Sequence, residues 1–291
     1  MSTTLSTLRQ KLGLVMRTYR ATGACTSGTT LTVVDSSRDE EDDYWNKGWV
    51  TVKDVSNTVT ETKETREISD FTTAAGTMTV LQAFSFTVAA SDTYEIHKKF
   101  SVDELNEAIN EAIRRTRDKI FSKTYATDTT VASTYSYAMA STTGEVYAVE
   151  LQADSSISTY PYYHLLKWRP LWSGSTQTIQ LDTAVDTGYT LRFHYLSPKD
   201  ELTSDTSTTD IATDYLYAAA RAYLYATLMD DCKTDEEYRR YMSSRDEWSR
   251  EAARLLRGYT MQPPAGRIYK GDAWLGGESW YDVTYEKESL S

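Results

Sequence analysis

The sequence predicts an α+β fold with a four-helix bundle core, two inserted antiparallel β-rich subdomains and an extended C-terminal tail. Four segments repeat apolar residues every three or four positions, as amphipathic helices do. Two blocks between them alternate apolar and polar residues, which is typical of half-buried strands. We therefore expect a bundle from residues 1–24, 101–124 and 208–258, β-rich insertions at 25–100 and 125–207, and a tail at 259–291.

The composition limits the function. The chain has 291 residues and a formal net charge of −11, and an acidic surface repels the phosphate backbone of nucleic acids. We expect DNA only as a passing, non-specific contact. The two cysteines, Cys25 and Cys232, lie far apart and predict neither a disulfide framework nor a zinc site. The N-terminal residues do not have the pattern of a secretory leader, and no apolar run is long enough for a membrane span, so we expect a cytoplasmic origin and no membrane contact.

The first helix and the first β block occupy the N-terminal hundred residues. Between Thr4 and Arg20 one helical face carries the apolar residues Leu5, Leu8, Leu12, Val15, Met16 and Tyr19. From Thr29 to His97 the period becomes two. At its end Tyr94 and Ile96 alternate with Glu95 and His97, which predicts that Glu95 and His97 face outward. The five consecutive acidic residues from Asp39 to Asp43 predict a solvated loop.

The second helix has the clearest local signal. Ser101 followed by Glu104 predicts a capping box, and an apolar face continues to Lys123. The second β block follows. Its last strand places Tyr189, Leu191, Phe193 and Tyr195 on one side and Thr190, Arg192 and His194 on the other.

The third and fourth helices are predicted to form an antiparallel hairpin, because only four residues separate the segments that end at Asp231 and begin after Thr234. Thr234 and Glu237 predict a second capping box. The fourth helix is densely charged outside its apolar stripe. This charge indicates either a solvated face or a contact surface, in a ring of copies or at a lumen near DNA. The candidate ring or lumen contacts are Arg239, Arg245, Arg250, Arg254, Glu247 and Glu251.

The tail combines glycines and prolines with large aromatic side chains that are costly to leave in water. It could fold back over its own chain or dock into a partner. The candidate partner-binding residues are Tyr259, Pro263, Pro264, Ile268, Tyr269, Trp274, Leu275, Trp280 and Tyr281.

No residue pattern predicts catalysis, a metal site or a cofactor. The three histidines, His97, His164 and His194, do not stand at metal-ligand spacing, and the motifs of phosphate-binding loops, dinucleotide-binding turns and hydrolases do not occur. We therefore expect a protein that is not an enzyme and binds no cofactor. An enzyme that acts on carbohydrate or peptide through carboxylates stays a distant alternative.

Several short segments resemble structural proteins of tailed bacteriophages. They are Gly48–Trp49, Arg66–Phe71, Gly76–Val80, Asp92–Ile96 and Phe100–Ser101 with the following helix to Ala112. The helical plan resembles the head–tail adaptor, also called the connector, head-completion or neck protein, although the smallest adaptors are almost wholly helical and this chain has two large β blocks.

The resemblance implies a ring of usually twelve copies at the neck of the virion. The ring would dock under the portal protein, contact a downstream neck or tail protein and pass DNA through its bore, with the tail from Tyr259 to Trp280 as the portal-binding part. The alternative is another virion component, such as a tail-tube, baseplate or capsid-decorating protein.

Overall fold

The computed structural model describes residues 2–18, 20–53, 63–117, 119–140, 146–152, 163–173 and 176–258. These residues form two compact units, Met1–Arg115 with Asp200–Gly258, and Thr116–Lys199. The first unit contains the helices α1 (Leu5–Val15), α2 (Val102–Arg114), α3 (Thr213–Asp230) and α4 (Asp235–Gly258). Its strands are β1 (Thr3–Thr4), β2 (Arg20–Ala24), β3 (Ser27–Gly28), β4 (Thr32–Val34), β5 (Trp49–Lys53), β6 (Lys63–Thr72), β7 (Thr77–Val80), β8 (Thr93–His97) and the later strand β16 (Thr208–Thr209). The second unit contains β9 (Phe121–Thr129), β10 (Ser136–Ala138), β11 (Val146–Gln152), β12 (Tyr163–Leu165), β13 (Trp168–Ser173), β14 (Thr176–Leu181) and β15 (Thr190–Pro198).

The main sheet of the first unit closes on itself. It has seven antiparallel strands in the order β2-β8-β5-β6-β7-β4-β3, so β2 and β3 lie at opposite edges. Only Cys25 and Thr26 separate these two strands. A flat sheet of this size is about 29 Å wide, whereas the link between the two strands reaches about 11 Å at most. The sheet must therefore curl until its edges meet, which makes it a barrel.

The interior of this barrel holds an apolar cluster. Its buried side chains include Trp45, Val50, Val52, Ile68, Phe71, Met78 and Ile96. Gly76 makes the turn before β7 possible, because its φ of 59° is left-handed and an added Cβ would stand 1.9 Å from the Asp35 carbonyl oxygen.

Helices α1, α2 and α3 pack on one another, and α1 also contacts the barrel. Ser101 and Glu104 form the predicted capping box at the start of α2. Along α3 the buried alanines Ala218, Ala219, Ala220 and Ala222 permit close packing against neighbouring helices, and Tyr215 Oη donates to the Ala112 carbonyl oxygen of α2 at 3.2 Å. Helix α1 packs on β8 through Gly13, where an added Cβ would be 3.3 Å from His97 Cε1.

A buried ion-pair network joins α1, α2 and the barrel. Arg9 of α1 is 1% exposed and donates to both oxygens of Glu95 on β8, at 3.3 and 2.9 Å. It also donates to Asn106 Oδ1 at 3.1 Å and to Asp205 Oδ1 at 2.7 Å, while His97 Nε2 lies 2.7 Å from Glu95 Oε1. Each guanidinium nitrogen of Arg9 therefore has a carboxylate or amide partner, as a buried charge requires.

This network corrects the prediction that Glu95 and His97 face outward. Both side chains are buried, at 9% and 0% exposure. The alternation of β8 is real, but its second face lies against α1 rather than in solvent. A polar residue on that face is buried when another element covers it and supplies partners, and Arg9 of α1 does both.

The second unit is a sandwich of two antiparallel sheets, ordered β12-β11-β15-β9 and β10-β14-β13. Its core takes Val149, Leu191 and Phe193 from the first sheet and Ile179 and Leu181 from the second. Leu166 and Lys167 link β12 to β13 at one corner of the sandwich. Leu166 N donates to the Val149 carbonyl oxygen at 2.9 Å, and the Lys167 carbonyl oxygen accepts from Asp182 N at 3.1 Å. The chain therefore passes from one sheet to the other between β12 and β13.

The predicted four-helix bundle core is wrong. The described part of the chain is rich in antiparallel sheets, and two of its apolar cores lie within these sheets. Helix α4 has only Ala252 and Leu256 buried along 24 residues, and α3 is its main helical neighbour. The helical period of the sequence correctly indicated helices. Helix α2 contacts α1 and α3, and α3 contacts α4, but the apolar cores of the barrel and of the second unit are built from strands and loops without any helix residue.

Candidate functional site: the α3–α4 hairpin

Helices α3 and α4 form the hairpin that the short link predicts. Asp231 to Thr234 make the turn, and Thr234 Oγ1 accepts a hydrogen bond of 3.2 Å from Glu237 N, which caps the start of α4. Three carboxylates, Asp235, Glu236 and Glu237, follow in the first turn, where the positive end of the helix dipole favours them. The start of α4 is thus set by local sequence alone.

Aromatic and cationic side chains hold α4 on α3. The Arg221 guanidinium of α3 lies 3.4 Å from the ring centroid of Trp248, and the rings of Tyr225 and Tyr241 are 6.1 Å apart. Lys99, which precedes α2, places its Nζ 5.2 Å from the Tyr241 centroid. Contacts of this kind contribute about 0.5–2 kcal/mol each, more when they are shielded from water. They fix the position of α4 without burying most of its surface.

The rest of α4 exposes large apolar side chains. Tyr238 is 44% and Met242 is 37% exposed, and the two lie one turn apart on the same face of the helix. Both belong to the apolar stripe that the sequence shows. Because the described residues bury this stripe only in part, α4 exposes apolar side chains in its first half.

The structure brings four of the six predicted contact residues of α4 together. Glu247, Arg250, Glu251 and Arg254 line a shallow open depression around Trp248. Arg254 donates to both oxygens of Glu251, at 2.8 and 2.6 Å, and this hydrogen bonding lowers the pKa of Glu251. The other two candidates, Arg239 and Arg245, do not line the depression: Arg239 is exposed, and Arg245 pairs with Asp246 at 2.6 Å.

Sequence reasoning missed the role of α3 in this surface. The sequence pattern does not single out Tyr217 or Arg221, yet Tyr217 Oη and Arg221 Nε are buried side-chain atoms without a hydrogen-bond partner. Both residues lie one turn apart on α3, and Arg221 stacks on Trp248. The only signal for them was an arginine among the tyrosines of a mostly alanine-rich helix.

The candidate partner-binding residues of the tail lie outside the described residues. These are Tyr259, Pro263, Pro264, Ile268, Tyr269, Trp274, Leu275, Trp280 and Tyr281. Their proposed role stays a prediction.

The described residues offer little for catalysis. They contain no group of three or more His, Cys, Asp or Glu side chains that could hold a metal ion. Burial raises the pKa of the Cys25 thiol to about 12, so this thiol stays protonated near neutral pH and is a poor nucleophile. Across the same described ranges, no helix has the length and apolar character that a membrane crossing requires.

No protein-family model matches the sequence, and no curated protein is significantly similar to it.

Proposed function

We propose that this chain is a structural virion protein of a tailed bacteriophage, which forms an oligomeric ring at the head–tail junction. In this role it docks under the portal, contacts a downstream neck or tail protein and passes DNA through its bore. It acts without catalysis, cofactor or membrane contact. The sequence resemblance motivates the proposal, and the surface of α4 is the structural observation that supports it best.

Helix α4 is long, well capped and incompletely covered. A helix of 24 residues is about 36 Å long, and a helix of this length is stable in water chiefly when its apolar face is packed. Here only Ala252 and Leu256 are buried, while Tyr238 and Met242 are exposed. A neighbouring copy that packs against this face would complete its burial, which is what a ring subunit needs.

The charge of α4 suits contact between copies. The helix carries six arginines and six carboxylates, so its net charge is zero although the chain carries −11. Alternating signs allow equivalent helices to pair without like-charge repulsion. The acidic excess lies elsewhere on the chain, and carboxylates at the wall of a bore would repel phosphates and let a duplex slide. A bore lined mainly by arginines in the assembled ring would reject this part of the proposal.

Two variants test the surface of α4. We expect the double variant Tyr238→Lys, Met242→Lys to shift the protein from rings to monomers in analytical ultracentrifugation. Glu236→Lys is the matched control, because it adds the same two units of positive charge on an exposed position of the opposite face and should leave assembly unchanged. Rings that persist in the double variant would remove α4 from the interface.

Imaging with a portal ring tests the location. A collar of twelvefold symmetry on the portal supports the adaptor role. A sixfold or threefold ring instead supports the second candidate, a tail-tube, baseplate or capsid-decorating protein, which the abundance of antiparallel sheet favours.

A chain that ends at Gly258 tests the tail separately from ring formation. It should still form rings but lose portal docking. Unchanged docking would reject the anchoring role of the tail.

A further inference from the structure

The outer face of the four-stranded sheet in the second unit carries a second surface, separate from α4. Leu191 and Phe193 of β15 are fully buried, so Arg192 and His194 between them point away from the core. Tyr125 of β9 stands opposite His194, and Glu150 of β11 stands opposite Arg192. Cross-strand pairs share a face, and therefore all four side chains lie on the outer side of the sheet.

Three rings form a row across this face. The Tyr125 and His194 centroids are 6.1 Å apart, and those of His194 and Tyr147 are 6.0 Å apart. Strict alternation would turn Tyr147 inward, since Val149 of the same strand is fully buried. The register of β11 shifts between Val146 and Ala148, and such a bulge redirects the side chain at the shift. The bulge thus brings the third ring into the row.

Arg192 and Glu150 hold the three rings in place and lie beside them. The Arg192 guanidinium lies 4.4 Å from the Tyr125 centroid, on one face of that ring. His194 Nε2 donates to Glu150 Oε2 at 2.8 Å. Tyr125 is nevertheless 54% exposed, so much of its ring faces solvent. Rings that are fixed before a ligand arrives lose little conformational entropy on binding.

The chemistry of this row selects among ligands. Arg192 and Glu150 stand opposite each other, so their charges offset and the face does not favour a polyanion. The exposed threonines Thr127 and Thr129 continue the same face of β9, which makes it too polar for a continuous apolar peptide. A sugar ring has an apolar face of C–H groups, which the negative face of an aromatic ring attracts, and an edge of hydroxyls that can both donate and accept hydrogen bonds.

We propose that this face binds a neutral oligosaccharide along the row Tyr125, His194 and Tyr147. The Tyr125 ring stacks on the C–H face of one sugar unit. The Arg192 guanidinium covers one face of the Tyr125 ring, so the sugar stacks on the other face, and the Glu150 carboxylate accepts from the hydroxyl hydrogens of a neighbouring sugar unit. This binding is independent of the role proposed for α4.

The test uses the full chain with maltohexaose, cellohexaose and chitohexaose as probes, in saturation-transfer NMR and isothermal titration calorimetry. We expect saturation transfer to the C–H protons of at least one of these hexasaccharides. Tyr125→Ala should weaken that binding about tenfold or more, the usual loss for a central aromatic anchor. Tyr125→Phe keeps the ring and should retain most of the affinity.

Tyr135→Ala is the matched control. Tyr135 is 46% exposed in the same unit but lies before β10, outside the row, and its loss should leave binding unchanged. The proposal is overturned if none of the three probes binds, or if Tyr125→Ala and Tyr135→Ala weaken binding equally. It is also overturned if Tyr125→Ala leaves sugar binding intact but disrupts ring assembly, because the row would then be a contact between protein subunits.

Discussion

The barrel of the first unit and the sandwich of the second have a similar short link between sheet edges but differ in the pairing of a buried tyrosine hydroxyl. In each, a two-residue link, Cys25–Thr26 or Leu166–Lys167, carries the chain from one sheet edge to another. In the barrel unit the buried Tyr94 hydroxyl donates to Asp35 and accepts from Arg38 Nε at 2.6 Å, and Arg9 is fully paired.

In the sandwich three buried polar atoms have no hydrogen-bond partner: Tyr137 Oη, Trp168 Nε1 and Gln177 Oε1. They come from the three adjacent strands β10, β13 and β14. A buried polar atom without a partner costs about 1–3 kcal/mol. The first unit also has buried side-chain atoms without a hydrogen-bond partner, such as His97 Nδ1. The comparison therefore concerns two particular hydroxyl groups: that of Tyr94 both donates and accepts, whereas that of Tyr137 has no partner. The following predictions test that difference.

The largest effect is expected from Arg9→Met. The substitution removes the cation beside the buried carboxylate of Glu95 and should lower the free energy of unfolding by about 3–5 kcal/mol in urea denaturation. Lys11→Met is the control, because Lys11 is exposed on the same helix and its loss should change stability by less than about 0.5 kcal/mol. Equal losses in both variants would show that the network does not stabilise the unit.

Acid should weaken the first unit through its carboxylates. Burial alone would raise the pKa of Glu95, but hydrogen bonds from His97 and Arg9 and the Arg9 charge hold it well below its usual range. The pKa of Asp205 and of Asp35 is also lowered, by hydrogen bonds from Arg9 in one case and from Ser37 and Tyr94 in the other, against the opposing effect of burial. A depressed pKa contributes stability above the unfolded value, and that contribution is lost as the pH falls through the folded one.

The free energy of unfolding should therefore decrease as the pH falls below about 4. The decrease should be smaller at first than the loss in Arg9→Met, because protonation is gradual. Urea denaturation over a pH series measures it. Glu95→Gln should show a shallower dependence on pH, and an identical slope in this variant would exclude Glu95 as a contributor.

Tyr94→Phe and Tyr137→Phe each remove one hydroxyl group, one in each unit. Tyr94→Phe leaves the buried Asp35 without one of its hydrogen-bond donors. We therefore expect the free energy of unfolding to fall by about 1–3 kcal/mol in thermal or urea unfolding.

The smallest effect is expected from Tyr137→Phe. Its hydroxyl has no partner to lose, so removing it should leave the free energy of unfolding unchanged or raise it by up to about 1 kcal/mol. A loss as large as that of Tyr94→Phe would mean that the Tyr137 hydroxyl is hydrogen-bonded in solution, and the contrast between the two hydroxyl groups would disappear.

Local features of the fold were predictable from neighbouring residues. The capping box of Ser101 and Glu104 depends on a spacing of three residues, and the hairpin of α3 and α4 on a link of four, so both appear in the sequence itself. Alternation likewise indicated the strand that became β15. The bundle core was wrong because a helical period shows that one face is apolar but not what covers it.

The candidate sites divide in the same way. The charged residues of α4 were identified from composition and spacing, whereas the stacking of Arg221 on Trp248 joins two helices and required their packing to be known. The row of Tyr125, His194 and Tyr147 depends on strand register and on a bulge that alternation cannot reveal.

The sequence by itself determined the capped starts of α2 and α4, which faces are apolar and how acidic the chain is, because these properties arise from residues within a few positions of one another. Only the tertiary structure decided that Glu95 and His97 are buried with Arg9, that the seven strands close into a barrel and that α4 keeps an open face. These outcomes depend on contacts between residues far apart along the chain, and the free energy of such contacts comes from burial and pairing that no local pattern contains.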